Sequence, residues 1–130
     1  MKKVTGSFQV KLSPQSISFK HNTKLQTGRL TIDKTFEGPL SGHSNGEMLS
    51  VLGADKKAGG YVAIEVFEGE LEGISGSFAM QHYGKMDASG QSLTLEIVPN
   101  SGEGELSEIS GSLVIRIENG QHYYDLSYQL

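Results

Sequence analysis

The stretch FEGELEGISGSF at residues 67–78 returns 35 residues later as GEGELSEISGSL at residues 102–113. In the first copy Leu71 and Ile74 flank Glu72-Gly73, a pair suited to a two-residue hairpin turn. Pairing outward from that turn sets Gly69 opposite Gly76 and Phe67 opposite Phe78. The same reading of the second copy sets Leu106 opposite Ile109 and Gly104 opposite Gly111. A weaker third copy, FEGPLSGHSNG, covers residues 36–46. Each copy is expected to be a β-hairpin whose facing glycines let the sheet coil sharply. Successive hairpins make an up-and-down meander. A twisted meander of about eight strands closes into a barrel and so removes its exposed edges.

The rest of the chain agrees with this period. GSFQVKL, RLTIDKTF, GSFAMQHY, SLTLEIV, SLVIRI and HYYDLSYQL alternate apolar and polar residues in short runs, as strands do. Asn119-Gly120 is a preferred type I′ turn, and it places Ile117, Ile115 and Leu113 opposite His122, Tyr124 and Leu126. Leu93, Leu95 and Ile97 are out of phase with Leu106, so a bulge is expected at Pro99–Gly102. LSVLGADKKAGG reads as a loop rather than a helix. With 17 glycines and 130 residues, the expectation is all-β: one antiparallel up-and-down barrel domain over residues 1–130.

Charge and composition narrow the function classes. The formal net charge is -4 and the pI about 5.5, which disfavours phosphate neutralisation and hence nucleic acid. No basic run suggests a membrane surface, and no segment reaches the ~18 apolar residues of a membrane-spanning helix. There is no cysteine, so disulfides, thiolate metal sites and cysteine nucleophiles are excluded. Gly6, Ser7 and Gln9 interrupt any apolar core of a secretory leader, and a cytoplasmic location is expected. The glycine-rich stretches lack the Gly-Lys-Ser/Thr ending of a phosphate loop.

AGGYVAIEVFEGELEGISGSFAMQHYGKM, VPNSGEGELSEISGSL and HYYDLSYQL resemble a family of uncharacterised bacterial proteins. These are grouped with the allene oxide cyclase-like barrels, to which plant dirigent proteins also belong. GEGELSEISG is similar to the Gly-x-Gly-x-aromatic-x-Gly-x-x-Gly turn of that superfamily, with Leu106 in place of the aromatic and Glu108 in place of the middle glycine. The resemblance runs from about Leu30 to the carboxyl terminus. It implies an antiparallel barrel with an inner cavity, assembled as a trimer, and transfers no catalytic residue.

Strand phase then selects the inner face. Ile74, Phe78, Met80 and His82 share one face. Tyr124, Leu126, Tyr128 and Leu130 share another with His122. Tyr61, Ala63 and Phe67 share a third with Glu65. The Glu72-Gly73 turn sets His82 opposite Ala63, one diagonal step from Glu65 and within side-chain reach. The candidate ligand-binding residues are therefore Glu65, His82, His122, Tyr124, Tyr128 and Tyr61, and Lys34 falls in the same phase as Leu30, Ile32 and Phe36. A Glu–His pair in an apolar setting can move protons; equally, it can be a satisfied polar network inside a filled barrel.

His21 and His43 read as exposed residues without a role. His82, His122 and Glu65 are metal-ligand types, but no short-spaced pair supports a metal site, and none is expected; no cofactor is expected either. Three functions follow: binding of a small apolar molecule in the barrel, an isomerase or cyclase acting on a small hydrophobic substrate, and a structural or assembly protein with a filled barrel. Whether the chain is an enzyme stays open at this point. YVAIEV is apolar on both faces, so its outer face (Val62, Ile64, Val66) predicts a homo-oligomer, a trimer or a dimer.

Overall fold

The computed structural model describes residues 1–130. Its strands are β1 (Lys2–Gln15), β2 (Gln26–Glu37), β3 (Leu40–Leu52), β4 (Gly59–Leu71), β5 (Ile74–Asp87), β6 (Gly90–Ile97), β7 (Glu103–Gly104), β8 (Ser110–Glu118) and β9 (Gln121–Gln129). Neighbours run β4-β3-β2-β1-β9-β8-β6-β5 and then back to β4, all antiparallel. This is a closed up-and-down barrel of eight strands, with β7 added as a short ninth strand beside β5. The first and last long strands close the ring, Val4 facing Leu126. The β6–β8 seam is the thinnest, with one bridged pair, Glu96 and Ser112. No helix in the structure is long and apolar enough to cross a membrane.

Local turn chemistry sets the registers. Glu72 and Gly73 both have positive φ (49° and 81°), as a type I′ turn requires, and Leu71 faces Ile74, Gly69 faces Gly76 and Phe67 faces Phe78. Asn119 and Gly120 do the same at 53° and 78°, placing Ile117, Ile115 and Leu113 opposite His122, Tyr124 and Leu126. Phe36 faces Gly42 across the turn between β2 and β3. Residues 53–58 form a turn closed by Gly53 N–H donating to the Ala58 carbonyl.

The second copy of the repeat corrects the sequence expectation. Gly104 and Gly111 do not pair. Gly104 faces Gly76 on β5, and Gly111 faces Tyr128 on β9. The physical reason is the turn. The residues that correspond to Glu72-Gly73 are Ser107-Glu108, and without the glycine a type I′ turn is unfavourable. The chain instead makes two successive tight turns, Leu106 N–H to the Glu103 carbonyl and Ile109 N–H to the Leu106 carbonyl. These turns drop Leu106 and Ile109 into the end of the barrel, where both are buried. The expected bulge at Pro99–Gly102 is a turn in which Ser101 Oγ accepts from Ala79 N–H and donates to the Val98 carbonyl.

Inward side chains fill the barrel unevenly. One end is sealed by Leu40, Leu71, Leu106, Ile109, Leu126 and Tyr128, all buried. Next to it stand Phe36, Phe67 and Phe78, with ring centroids 5.7 Å apart for the first pair and 5.1 Å for the second. At the opposite end, the inward-phase residues Val10, Leu30, Met48, Tyr61, Ile115 and His122 are only half-buried, and Leu12, Leu93 and Ile117 are exposed. The barrel is thus plugged at the Glu72 end and left with an apolar mouth at the other.

Candidate functional site

Between plug and mouth lies a polar layer. Glu65 on β4 faces Gly46 on β3 and Met80 on β5. Lys34 on β2 faces Ser44 on β3, which faces Phe67, two residues along β4 from Glu65. His82 on β5 faces Ala63, two residues along β4 in the other direction. Four neighbouring strands therefore deliver Lys34, Ser44, Glu65 and His82 to one place, and all four side chains are buried. Gly46 is needed where β3 passes Glu65: a Cβ there would lie 2.0 Å from the Ile64 carbonyl oxygen.

Glu65 is the hub. Its Oε2 accepts from Lys34 Nζ at 2.8 Å and from His82 Nε2 at 2.5 Å, and its Oε1 accepts from the Ser44 hydroxyl. Burial alone would raise its pKa. The His82 hydrogen bond, the Lys34 charge and hydrogen bond, and the Ser44 hydroxyl together outweigh that and bring it down to about 2. Glu65 is therefore a carboxylate at neutral pH. The Lys34 ammonium lies 5.0 Å from the Phe8 ring centroid and 5.9 Å from that of Phe36, aromatic faces that replace part of its lost hydration.

Because an ionised Glu65 only accepts, His82 Nε2 must carry the proton it shares with Oε2. His82 Nδ1 makes no hydrogen bond. Every side-chain polar atom sealed from solvent has a partner, so Nδ1 borders space that admits water. Tyr61 covers His82 on the mouth side, ring centroids 6.4 Å apart. Its ring lies against Gly84, where a Cβ would approach Tyr61 Cε1 to 2.3 Å. Burial, and after it the negative charge of Glu65, raise the Tyr61 phenol pKa.

The structure thus brings Glu65, His82 and Tyr61 together and sets the other three candidates apart. His122 stacks on Phe8 at 5.3 Å at the mouth, half-buried, without touching Glu65. Tyr124 is fully buried beside the plug, where its hydroxyl accepts from Leu40 N–H at 2.9 Å and lies 3.1 Å from the Glu37 carbonyl oxygen. Tyr128 bonds Glu72 at the sealed end. Both tyrosines hold turns rather than line the mouth. Ser44 was not among the candidates; the period of two along β3 puts it on the same face as Leu40. Lys34 was in phase, but its partner lies two strands away, beyond the reach of any one hairpin register. His21 and His43 are exposed. No three His, Cys, Asp or Glu side chains stand close enough together to hold a metal ion.

The outer wall carries a second feature. A groove of about 730 Å³ on the outside of β2–β6 is lined by Arg29, Glu47, Leu49, Val62, Ile64 and Tyr83, among others, and His82 borders it as well. It adjoins a hollow of about 400 Å³ that Phe19 overhangs. The segment before β2 is tied down there by Arg29 Nε donating to the Ser16 carbonyl at 2.9 Å.

A family model described as "Protein of unknown function (DUF3224)" matches residues 4–128. The chain belongs to the DUF3224 family. It is 48% identical to a DUF3224 protein of unknown function from Shewanella oneidensis MR-1, known from a crystal structure at 1.84 Å resolution. That likeness covers 100% of this chain and 97% of the other, with a TM-score of 0.95. No curated protein matches. The DUF3224 barrel is therefore shared over the whole chain, and the polar layer has to speak for its own chemistry.

Proposed function

We propose that this DUF3224 protein binds a small, mostly apolar molecule in the open mouth of its barrel. One observation carries the reading: inward-phase apolar residues stay half-exposed above a buried polar layer in which His82 Nδ1 has no partner. Here Val10, Leu30, Met48, Tyr61 and Ile115 offer an apolar wall beside the buried Glu65–His82 pair, an apolar lining with few polar groups such as small-molecule sites have. Native mass spectrometry of protein purified from its own host tests this. A retained small molecule is the expected result. Bare protein, together with failure of any apolar probe to shift resonances of Tyr61 or Ile115, refutes it.

A second reading has a specific observation behind it. A carboxylate holding one imidazole nitrogen, with the other nitrogen free, is an arrangement for proton transfer. An isomerase acting on a small hydrophobic substrate is consistent with the Glu65–His82 pair, and kinship with the allene oxide cyclase-like barrels is part of the same proposal. That kinship rests on fold and turn residues, a weaker warrant than the site.

Self-association belongs to the proposal as well. Val62, Ile64 and Val66 form an apolar row on the outer wall, flanked by Leu49 and Tyr83 and rimmed by Arg29, Glu47, Gln81 and Glu96. An apolar centre with a polar rim is how subunit interfaces are built. We expect an oligomer in sedimentation at micromolar concentration and a monomer for Ile64→Lys. A monomeric parent protein removes this part.

A further inference from the structure

We infer that the partner on the outer groove is a second copy of this chain turned end for end, mouth beside plug, so that the assembly is a two-fold dimer. The inference rests on the apolar row of β4 being a self-association surface and adds the number of copies and their orientation.

Strand registers lay the outer wall out in rows. Leu49, Val62 and Tyr83 stand side by side on β3, β4 and β5. The next row towards the plug is Glu47, Ile64 and Gln81, and the one after it Asn45, Val66 and Ala79. Leu49, Val62, Ile64, Val66 and Tyr83 are between 43% and 59% exposed, so the centre of this face is apolar and uncovered. One row beyond it on the mouth side is Lys85, facing Gly60, with Lys56 and Lys57 in the turn that leads into β4. One row beyond it on the plug side is Ser77, flanked by Glu68 on β4 and Glu103 on β7. Lys56, Lys57, Lys85, Glu68 and Glu103 are exposed, and none makes an ion pair within the chain. The acids near the mouth, Asp55 and Asp87, accept from backbone N–H groups of their own turns. Glu47, in the central row, is already paired with Arg29.

The wall is therefore apolar at its centre, cationic towards the mouth and anionic towards the plug. Two copies stacked with their mouths together set lysine on lysine and glutamate on glutamate. A ring of three with the barrels side by side does the same, because its rotation axis keeps every mouth on one side. A two-fold axis crossing the strands at Ile64 reverses the second copy instead. Ile64 then meets its own equivalent, and Val62 meets the partner's Val66. Lys85 and Ser77 lie four residues either side of Gln81, the neighbour of Ile64, so they too change places across the axis. Lys85 then stands between the partner's Glu68 and the partner's Glu103, and two-fold symmetry makes this contact twice. Apolar contact holds the copies together, and the charges choose the orientation.

The test uses the whole chain and two charge-reversed forms, Lys85→Glu and the double variant Glu68→Lys with Glu103→Lys. All three positions are exposed, and circular dichroism verifies that the barrel stays folded. Sedimentation equilibrium at low salt gives the dissociation constant, and native mass spectrometry identifies the copies present. We expect the parent at dimer mass. Each variant alone should dissociate about tenfold more readily or worse, since two contacts turn from attractive to repulsive. Mixed in equal amounts, the two variants should form a dimer with one copy of each, as tight as the parent. A trimer mass overturns both the copy number and the orientation and leaves the apolar face standing. A dimer whose charge variants associate as well as the parent, or do not recover on mixing, overturns the reversed orientation alone. A parent that stays monomeric removes the surface and takes the inference with it.

Discussion

Replacing Glu65 with glutamine removes the only negative charge in the polar layer and changes little in shape. Lys34 is then a buried ammonium without a counter-charge, a situation that costs about 3–5 kcal/mol. The depression of the Glu65 carboxyl points to a figure of the same size. Glu65 is held at about 2 in the folded protein against an ordinary 4.5, a separation worth roughly 3 kcal/mol. The sign follows from the depressed value. The stabilisation is fully present above about pH 4.5 and is lost as the pH falls through about 2. Glutamine does not titrate, so the gap between parent and variant should be largest near pH 7 and shrink as the pH approaches 2. Urea unfolding followed by circular dichroism at pH 7, 5, 3.5 and 2.5 measures it. Removing both charges with Lys34→Met and Glu65→Gln should recover about 2 kcal/mol of the single-variant loss, because no charge is then left unpaired. A Glu65→Gln loss under about 1 kcal/mol at pH 7, or a gap of constant size down to pH 2.5, contradicts the reasoning.

Other perturbations test other parts of the barrel. Tyr124→Phe should cost about 1–3 kcal/mol in urea unfolding, because Leu40 N–H loses its buried acceptor, and should leave probe binding at the mouth unchanged. Gly111→Ala should destabilise by at least about 2 kcal/mol, since its Cβ would lie 2.1 Å from the Ser127 carbonyl oxygen and backbone must move; an unchanged melting temperature would show that β8 and β9 cross less tightly than they do here. Gly84→Ala should push the Tyr61 ring out of the barrel, seen as loss of nuclear Overhauser contacts between Tyr61 and His82, with a stability loss of about 1–3 kcal/mol.

The all-β class and the hairpin registers were legible in the sequence because they are set by local chemistry. Glu72-Gly73 and Asn119-Gly120 supply the positive φ that a tight turn needs, and period 2 then carries each register along its strands. That is why the contact of Glu65 with His82, 17 residues apart, follows from one turn. The second repeat shows where likeness misleads. Its apolar and glycine spacing matches the first, yet Glu108 stands where Gly73 does, and that one residue turns a hairpin into a plug. Other features were decided only by closure. Lys34 reaches Glu65 across β3, in a register fixed by a separate turn, and its ammonium rests on Phe8 from a fourth strand. Tyr124 and His122 share a strand face and look equivalent in the sequence; the tilt of a closed barrel puts one in the plug and the other at the mouth. Alternation says which way a side chain points. How far along the barrel it stands, and whether that level is filled or open, depends on how all the strands are staggered around the ring, and no local run of residues encodes that.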